Sequence, residues 1–156
     1  KLSVFLKQFQ DAVGRMDTYS NNGDGTFTKI TTSVVNDGGP SIAGSWGDFN
    51  NDGKLDLFVT NANNNLLYRN DGNGAFSKVT SDIVVNDRGS GGGASWSDFD
   101  NDGDLELFVA NRANTSNFLY TNNGDGTFTK ITTGDVVSDI GFSDGGSWQI
   151  LTMMEI

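Results

Sequence analysis

Four short apolar runs, separated by clusters of Asp, Asn and Gly, recur along this chain. In the middle copy, residues 94–99 lead into an Asp/Gly loop, 105–111 (LELFVAN) read as a strand, and 117–121 (NFLYT) and 127–132 (TFTKIT) follow. The last two runs are joined by NNGDG at 122–126, where Asn-Gly and Asp-Gly offer the positive φ of a tight hairpin. Alternation in TFTKIT puts Phe128 and Ile131 toward a core and Lys130 outside. Three or four antiparallel strands per unit amount to one propeller-like blade.

The pattern repeats in detail. Residues 21–31 and 122–132 both read NNGDGTFTKIT, and 70–80 reads NDGNGAFSKVT. Phe27, Phe76 and Phe128 are thus 49 and 52 residues apart, and Trp46, Trp96 and Trp148 are 50 and 52 apart. Between each Phe and the next Trp lies a β-branched run: SVVND at 33–37, DIVVND at 82–87 and DVVSD at 135–139. A unit of about 50 residues is in the range of propeller blades. The expected organisation is an atypical segment 1–17, repeats at 18–66 and 67–118, a partial repeat at 119–148 and an aberrant tail at 149–156. The expected fold is all-β, with tandem antiparallel blades forming an incomplete, open β-propeller.

Composition narrows the chemistry. The chain has 156 residues and is 35% hydrophobic, below the about 45% of an ordinary domain, and Gly, Asp and Asn fill the gap. Only Glu106 and Glu155 among the 20 acids are Glu; helices favour Glu, because Asp and Asn compete for backbone hydrogen bonds. Without His or Cys there is no imidazole base, no Ser-His-Asp triad, no thiolate nucleophile and no disulfide. A formal charge of −10 repels nucleic acid and anionic membrane surfaces, and no stretch approaches the ~18 apolar residues of a membrane span. Residues 1–13 lack a continuous apolar region and a small-residue cleavage site, and are not read as a signal peptide. Hard oxygen ligands remain.

Those ligands are concentrated in two nine-residue loops, DFNNDGKLD at 48–56 and DFDNDGDLE at 98–106. Oxygen side chains fall at positions 1, 3, 5 and 9, with Gly at 6. Calcium takes six to eight oxygens in a flexible shell, and a chain bending round it offers alternate side chains inward. Gly53 and Gly103 permit a left-handed turn that brings in the carbonyl of Lys54 or Asp104 at position 7. Asp56 or Glu106 closes the shell. Phe49 and Phe99, with Leu55 and Leu105, are expected to anchor the loops in the core. A metal-free turn is the alternative, since Asp, Asn and Gly populate turns anyway. Against it, Asp98, Asp100, Asp102 and Glu106 would repel one another without a cation, as would Asp48, Asp52 and Asp56. Magnesium suits such a cage less well, because it dehydrates reluctantly.

Other features have plainer readings. Asp24 and Asp125 in the hairpins lack the spaced carboxylates of a cage and are read as turn residues. The tryptophans precede the Asp/Gly loops and are read as core or inter-blade residues rather than sugar platforms. Basic residues are scattered singly, and Asn114-Thr115-Ser116 is a formal glycosylation sequon.

The string W-x-D-F-[DN]-N-D-G-x-L-[DE]-L-F-V, followed by L-Y-x-N-[ND]-G-x-G-x-F, resembles the FG-GAP or VCBS-type repeat of integrin-α-like β-propellers, over about 18–148. The resemblance implies two Ca²⁺ ions in inter-strand loops on one face, an extracellular or cell-surface setting, and non-enzymatic adhesion or ligand binding. Carried over by residue, the ligands are Asp48, Asn50, Asp52, the Lys54 carbonyl and Asp56, then Asp98, Asp100, Asp102, the Asp104 carbonyl and Glu106, the last where Asp is commoner. A closed ring of about seven blades at this repeat length needs roughly 350 residues. The implied partners are therefore neighbouring blades or further copies of the chain, with a protein or glycan ligand, and neither nucleic acid nor membrane insertion. A carbohydrate-binding or accessory segment of a secreted enzyme is the alternative role.

After Trp148 the third copy should continue as another Asp/Gly loop, and instead reads QILTMMEI. A gene segment TGG GCA GAT TTT GAC AAT GAT GGA GAT encodes WADFDNDGD. Removing one G from its opening run leaves TGG CAG ATT TTG ACA ATG ATG GAG AT, which reads WQILTMMEI, the sequence of 148–156. Sequencing the source DNA is expected to find this frame, with one added G at the Trp148 codon restoring the loop. A codon run that cannot be so restored contradicts the reading.

Overall fold

A computed structural model describes residues 4–8, 16–30 and 40–148; the tail 149–156 and the run at 33–37 lie outside them. Two four-stranded antiparallel sheets dominate. The first contains β4 (Ser41–Gly47), β5 (Asp56–Asn61), β6 (Leu66–Gly72) and β7 (Ala75–Val79) in that order. The second contains β8 (Gly91–Ser97), β9 (Glu106–Asn111), β11 (Phe118–Asn122) and β12 (Phe128–Ile131), again in chain order from the Trp strand outward. Ahead of them β1 (Val4–Gln8), β2 (Met16–Asn21) and β3 (Phe27–Ile30) form a three-stranded sheet, and β10 (Thr115–Ser116) pairs with β13 (Ile140–Gly141). The fold is all-β, built of propeller-like blades, and among the described residues the sheets close no ring.

Register makes the sheets copies of one another. Leu57 pairs with Tyr68 as Leu107 pairs with Tyr120, and Asn70 with Phe76 as Asn122 with Phe128. In the small sheet Phe5 pairs with Tyr19 and Asn21 with Phe27. Strands β1 to β3 therefore correspond to the outer three strands of a blade. The repeat boundaries read from sequence at 66/67 and 118/119 fall within β6 and β11.

The main core lies between the blades. Phe49, Phe58 and Leu67 from the first pack with Leu107, Val109, Phe118, Tyr120 and Phe128 from the second. Trp96 meets Phe58 edge-on, with centroids 6.2 Å apart, and Phe128 at 6.0 Å. Gly47 permits this approach, since a Cβ there would stand 2.7 Å from the Trp96 ring. Trp96 thus acts at the blade junction. Trp46 serves its own sheet by packing on Phe76.

The β-branched runs described in the structure fold as single helical turns, α1 (Ile83–Asn86) and α2 (Asp135–Ser138). In α1 the Asp82 carboxylate caps the turn by accepting from the Val84 N–H at 3.0 Å, and such a cap outweighs the modest helix reluctance of valine. Its other oxygen accepts from the Phe128 N–H at 3.2 Å, tying the turn to the next blade. Val84 and Val85 enter the inter-blade core. Lys130 does not stand outside as alternation suggested. It shares the Phe128 side of β12, lies 3.8 Å over the Phe118 ring and pairs with Asp87 at 2.7 Å. Tyr120 donates to the same carboxylate at 2.9 Å; burial first, then this acceptor, pushes its phenol far above the usual range.

Because Phe128 bridges Phe49 and Trp96 across the junction, Phe128→Ala is expected to cost about 3–5 kcal/mol. Urea unfolding should register this as a lower midpoint at unchanged slope.

Candidate metal centres

Each Asp/Gly loop joins the Trp strand of its sheet to the next strand, β4 to β5 and β8 to β9. The bend is made by left-handed residues at positions 4 and 6: Asn51 (φ 56) and Gly53 (φ 81), then Asn101 (φ 63) and Gly103 (φ 96). Asn tolerates that region better than most residues, a role for position 4 that the ligand spacing alone did not disclose. The turn gathers backbone N–H groups on the first carboxylate. Asp48 accepts from Asp52 at 3.1 Å and Gly53 at 2.8 Å, and Asp98 accepts from Asp102 at 3.1 Å and Gly103 at 3.2 Å. The position-5 carboxylates accept at 2.9 Å from the N–H of Lys54 and Asp104.

The closing carboxylates are fully buried. Asp56 accepts from the N–H of Phe49 at 3.2 Å and of Asn70 at 2.7 Å. Glu106 accepts from the Phe99 N–H at 2.9 Å through Oε2 and the Asn122 backbone N–H also favours its charged form, but its buried Oε1 makes no hydrogen bond of full geometry. Oxygens of Asp98, Asp100 and Glu106 lie within 4.8 Å of one another. Three carboxylates so close, one with a desolvated oxygen that lacks a full hydrogen bond, are costly unless a cation balances them. An all-oxygen donor set suits a hard cation such as Ca²⁺. Asp102 and Asp104 stand outside this group of three.

The first loop differs in charge. Asn50 stands in the place of Asp100 and accepts from the Asp52 N–H at 3.1 Å. The Lys54 ammonium pairs with Asp52 at 2.6 Å, and this hydrogen bond holds the carboxyl below its usual range. Asp56 is pushed up to about 6, by burial first and then by Asp52 and Asp48. Burial likewise raises Glu106, with Asp100 and Asp102 adding to it.

Two supports escaped the loop spacing. Asn70 donates to the Leu55 carbonyl at 3.0 Å, and Asn122 donates to those of Leu105 at 3.3 Å and Phe49 at 2.8 Å. Their shared place in L-Y-x-N was the available signal. Asn51 also donates to Asp104 at 2.5 Å, joining the two loops. The apolar anchors divide. Phe49 is 4% exposed, whereas Leu55 is 58% and Phe99 40% exposed. Leu55 precedes the buried run of β5 and stays outside; Phe99 lacks the ring that Phe128 supplies to Phe49. In the hairpins, Asp24 and Asp125 accept from the N–H and hydroxyl of Thr26 and Thr127, which lower their carboxyls.

Among known protein families, the FG-GAP-like repeat matches this chain, its family model fitting residues 8–59, 48–109 and 98–153. No curated protein matches the chain.

In the absence of a cation the folded chain holds the Asp56 proton up to about pH 6, against 3.8 ordinarily. The unfolded state then binds fewer protons, so stability is expected to fall as pH rises from about 4 through about 6. Melting in EDTA across that window should show the decline. Millimolar Ca²⁺ should abolish it by favouring the charged carboxylate; parallel curves would contradict this.

Proposed function

For this chain, which belongs to the FG-GAP-like repeat family, we propose the role of a calcium-stabilised extracellular module serving adhesion, ligand binding or surface scaffolding. The observation that carries the calcium part is Glu106, buried with an oxygen that makes no full hydrogen bond beside Asp98 and Asp100. Asp98, Asp100, Asp102, the Asp104 carbonyl and Glu106 would hold one ion; Asp48, Asn50, Asp52, the Lys54 carbonyl and Asp56 would hold the other. Each ion would staple a loop between two strands and cancel the repulsion there. Modules of extracellular fluid bind Ca²⁺ with Kd of about 10⁻⁴–10⁻³ M, which fits a structural cation at millimolar supply. A chain without Cys gains from metal what secreted domains often take from disulfides.

The role is non-catalytic. FG-GAP-like repeats are generally structural or binding modules, and the clustered carboxylates are engaged as ligands. The alternative of a carbohydrate-binding segment needs aromatic platforms, and Trp46 and Trp96 are instead packed on Phe76 and Phe58.

Thermal unfolding in EDTA, Ca²⁺ and Mg²⁺ tests the proposal. At ten times Kd each occupied site contributes about 1.4 kcal/mol, so the midpoint should rise with Ca²⁺ and little with Mg²⁺. Glu106→Gln should remove roughly half of that rise. An unchanged midpoint in Ca²⁺ would withdraw calcium from the account.

A further inference from the structure

The two Asp/Gly loops share one spacing but are unequal before any cation arrives. The second, DFDNDGDLE at 98–106, carries five carboxylates and no cationic side chain. The first, DFNNDGKLD at 48–56, carries three carboxylates and the Lys54 ammonium. Lys54 stands 2.6 Å from Asp52, both side chains being partly exposed. A Cβ on Gly72 would meet Lys54 Cε at 3.6 Å, so the Lys54 stem lies along its own blade. The Asn50 oxygen is taken by the Asp52 N–H at 3.1 Å. Both oxygens of Asp56 are satisfied as well, one by the Phe49 N–H and the other by that of Asn70. The first loop thus supplies its own counter-charge and its own donors.

The second loop has neither. Asp100 replaces Asn50 and brings its oxygen within 4.8 Å of those of Asp98 and Glu106, a trio that the first loop does not form. Glu106 is fully buried, and its Oε1 makes no hydrogen bond of full geometry. Among the described residues no Lys or Arg pairs with a carboxylate of this loop. Asp104, in the place of Lys54, adds a negative charge and accepts from Asn51 of the first loop at 2.5 Å.

We propose that the loops fill in order, the second at lower Ca²⁺ than the first, and that Lys54 sets the gap between them. The proposal rests on the calcium reading given above and assigns each loop its rank. Affinity in oxygen cages follows ligand charge count, which favours the second loop. Position 7 offers the ion a backbone carbonyl, so its side chain is free to tune the site without being a ligand. At Lys54 that side chain opposes a second cation on Asp52, with a force moderated by solvent at a partly exposed pair. Asn50 adds to the difference by giving a neutral oxygen where Asp100 gives a charged one.

Nuclear magnetic resonance of the nitrogen-15-labelled 156-residue chain, titrated with CaCl₂ at constant ionic strength, reads the loops separately. The Gly103 amide should reach its midpoint at a Ca²⁺ concentration at least about tenfold below that of Gly53. Lys54→Met keeps the stem and the carbonyl, and should lower the Gly53 midpoint by about three- to tenfold while leaving Gly103 in place. Asn50→Asp should move Gly53 in the same direction. Both variants are expected to gain affinity, a result that misfolding cannot imitate. Simultaneous titration of the two glycines, Gly53 leading, or a Gly53 midpoint unmoved by Lys54→Met would overturn the proposal. The calcium reading fails differently, by neither glycine responding to millimolar Ca²⁺.

Discussion

A buried carboxylate at the head of the second strand is the constraint on which each blade depends. Asp56 and Glu106 are fully buried, each held by the N–H of the Phe that opens its own loop. An anion in such a place requires compensation, since desolvation penalises its charged form. Backbone donors supply part of it, and the Oε1 of Glu106 is left without a full hydrogen bond. The loop bends so that further oxygens arrive beside that anion, which raises the cost without a cation and lowers it with one. Loop geometry, carboxyl titration and the proposed cation are thus consequences of one burial.

The same loops control how blades stack. Phe49 is part of the first loop and also of the core against Phe128. The Asn122 side chain, 73 residues further on, holds the Phe49 carbonyl, and Asn51 holds Asp104 of the next loop. Ordering one loop therefore orders the junction, coupling nearest neighbours as in other repeat arrays. Phe99, at the same place in the second loop, has no Phe128-like ring over it and is more exposed.

Much of this was legible in the sequence, because repetition displays what each unit needs. The Phe and Trp spacings announced the blades, and the nine-residue loops announced the tight acidic turns between the first two strands of each. What stayed hidden depends on neighbours. Val84 and Val85 were visible only as part of a β-branched run between blades, and it is the Asp82 cap that makes the run a helical turn entering the core between them. Lys130 read as exposed, but Asp87 and the Phe118 ring hold it from another element. Phe49 and Phe99 occupy identical loop positions with opposite burial, a difference that alternation within a strand cannot register.

The central claim is that a cation completes the shell around the buried carboxylates. Crystals grown in Ca²⁺ and measured for its anomalous scattering test this most directly. The account predicts one peak in each loop, the second within about 2.3–2.6 Å of the Glu106 Oε1 atom. Loops free of such peaks, with Glu106 Oε1 bonded to water or to another protein group, would contradict it.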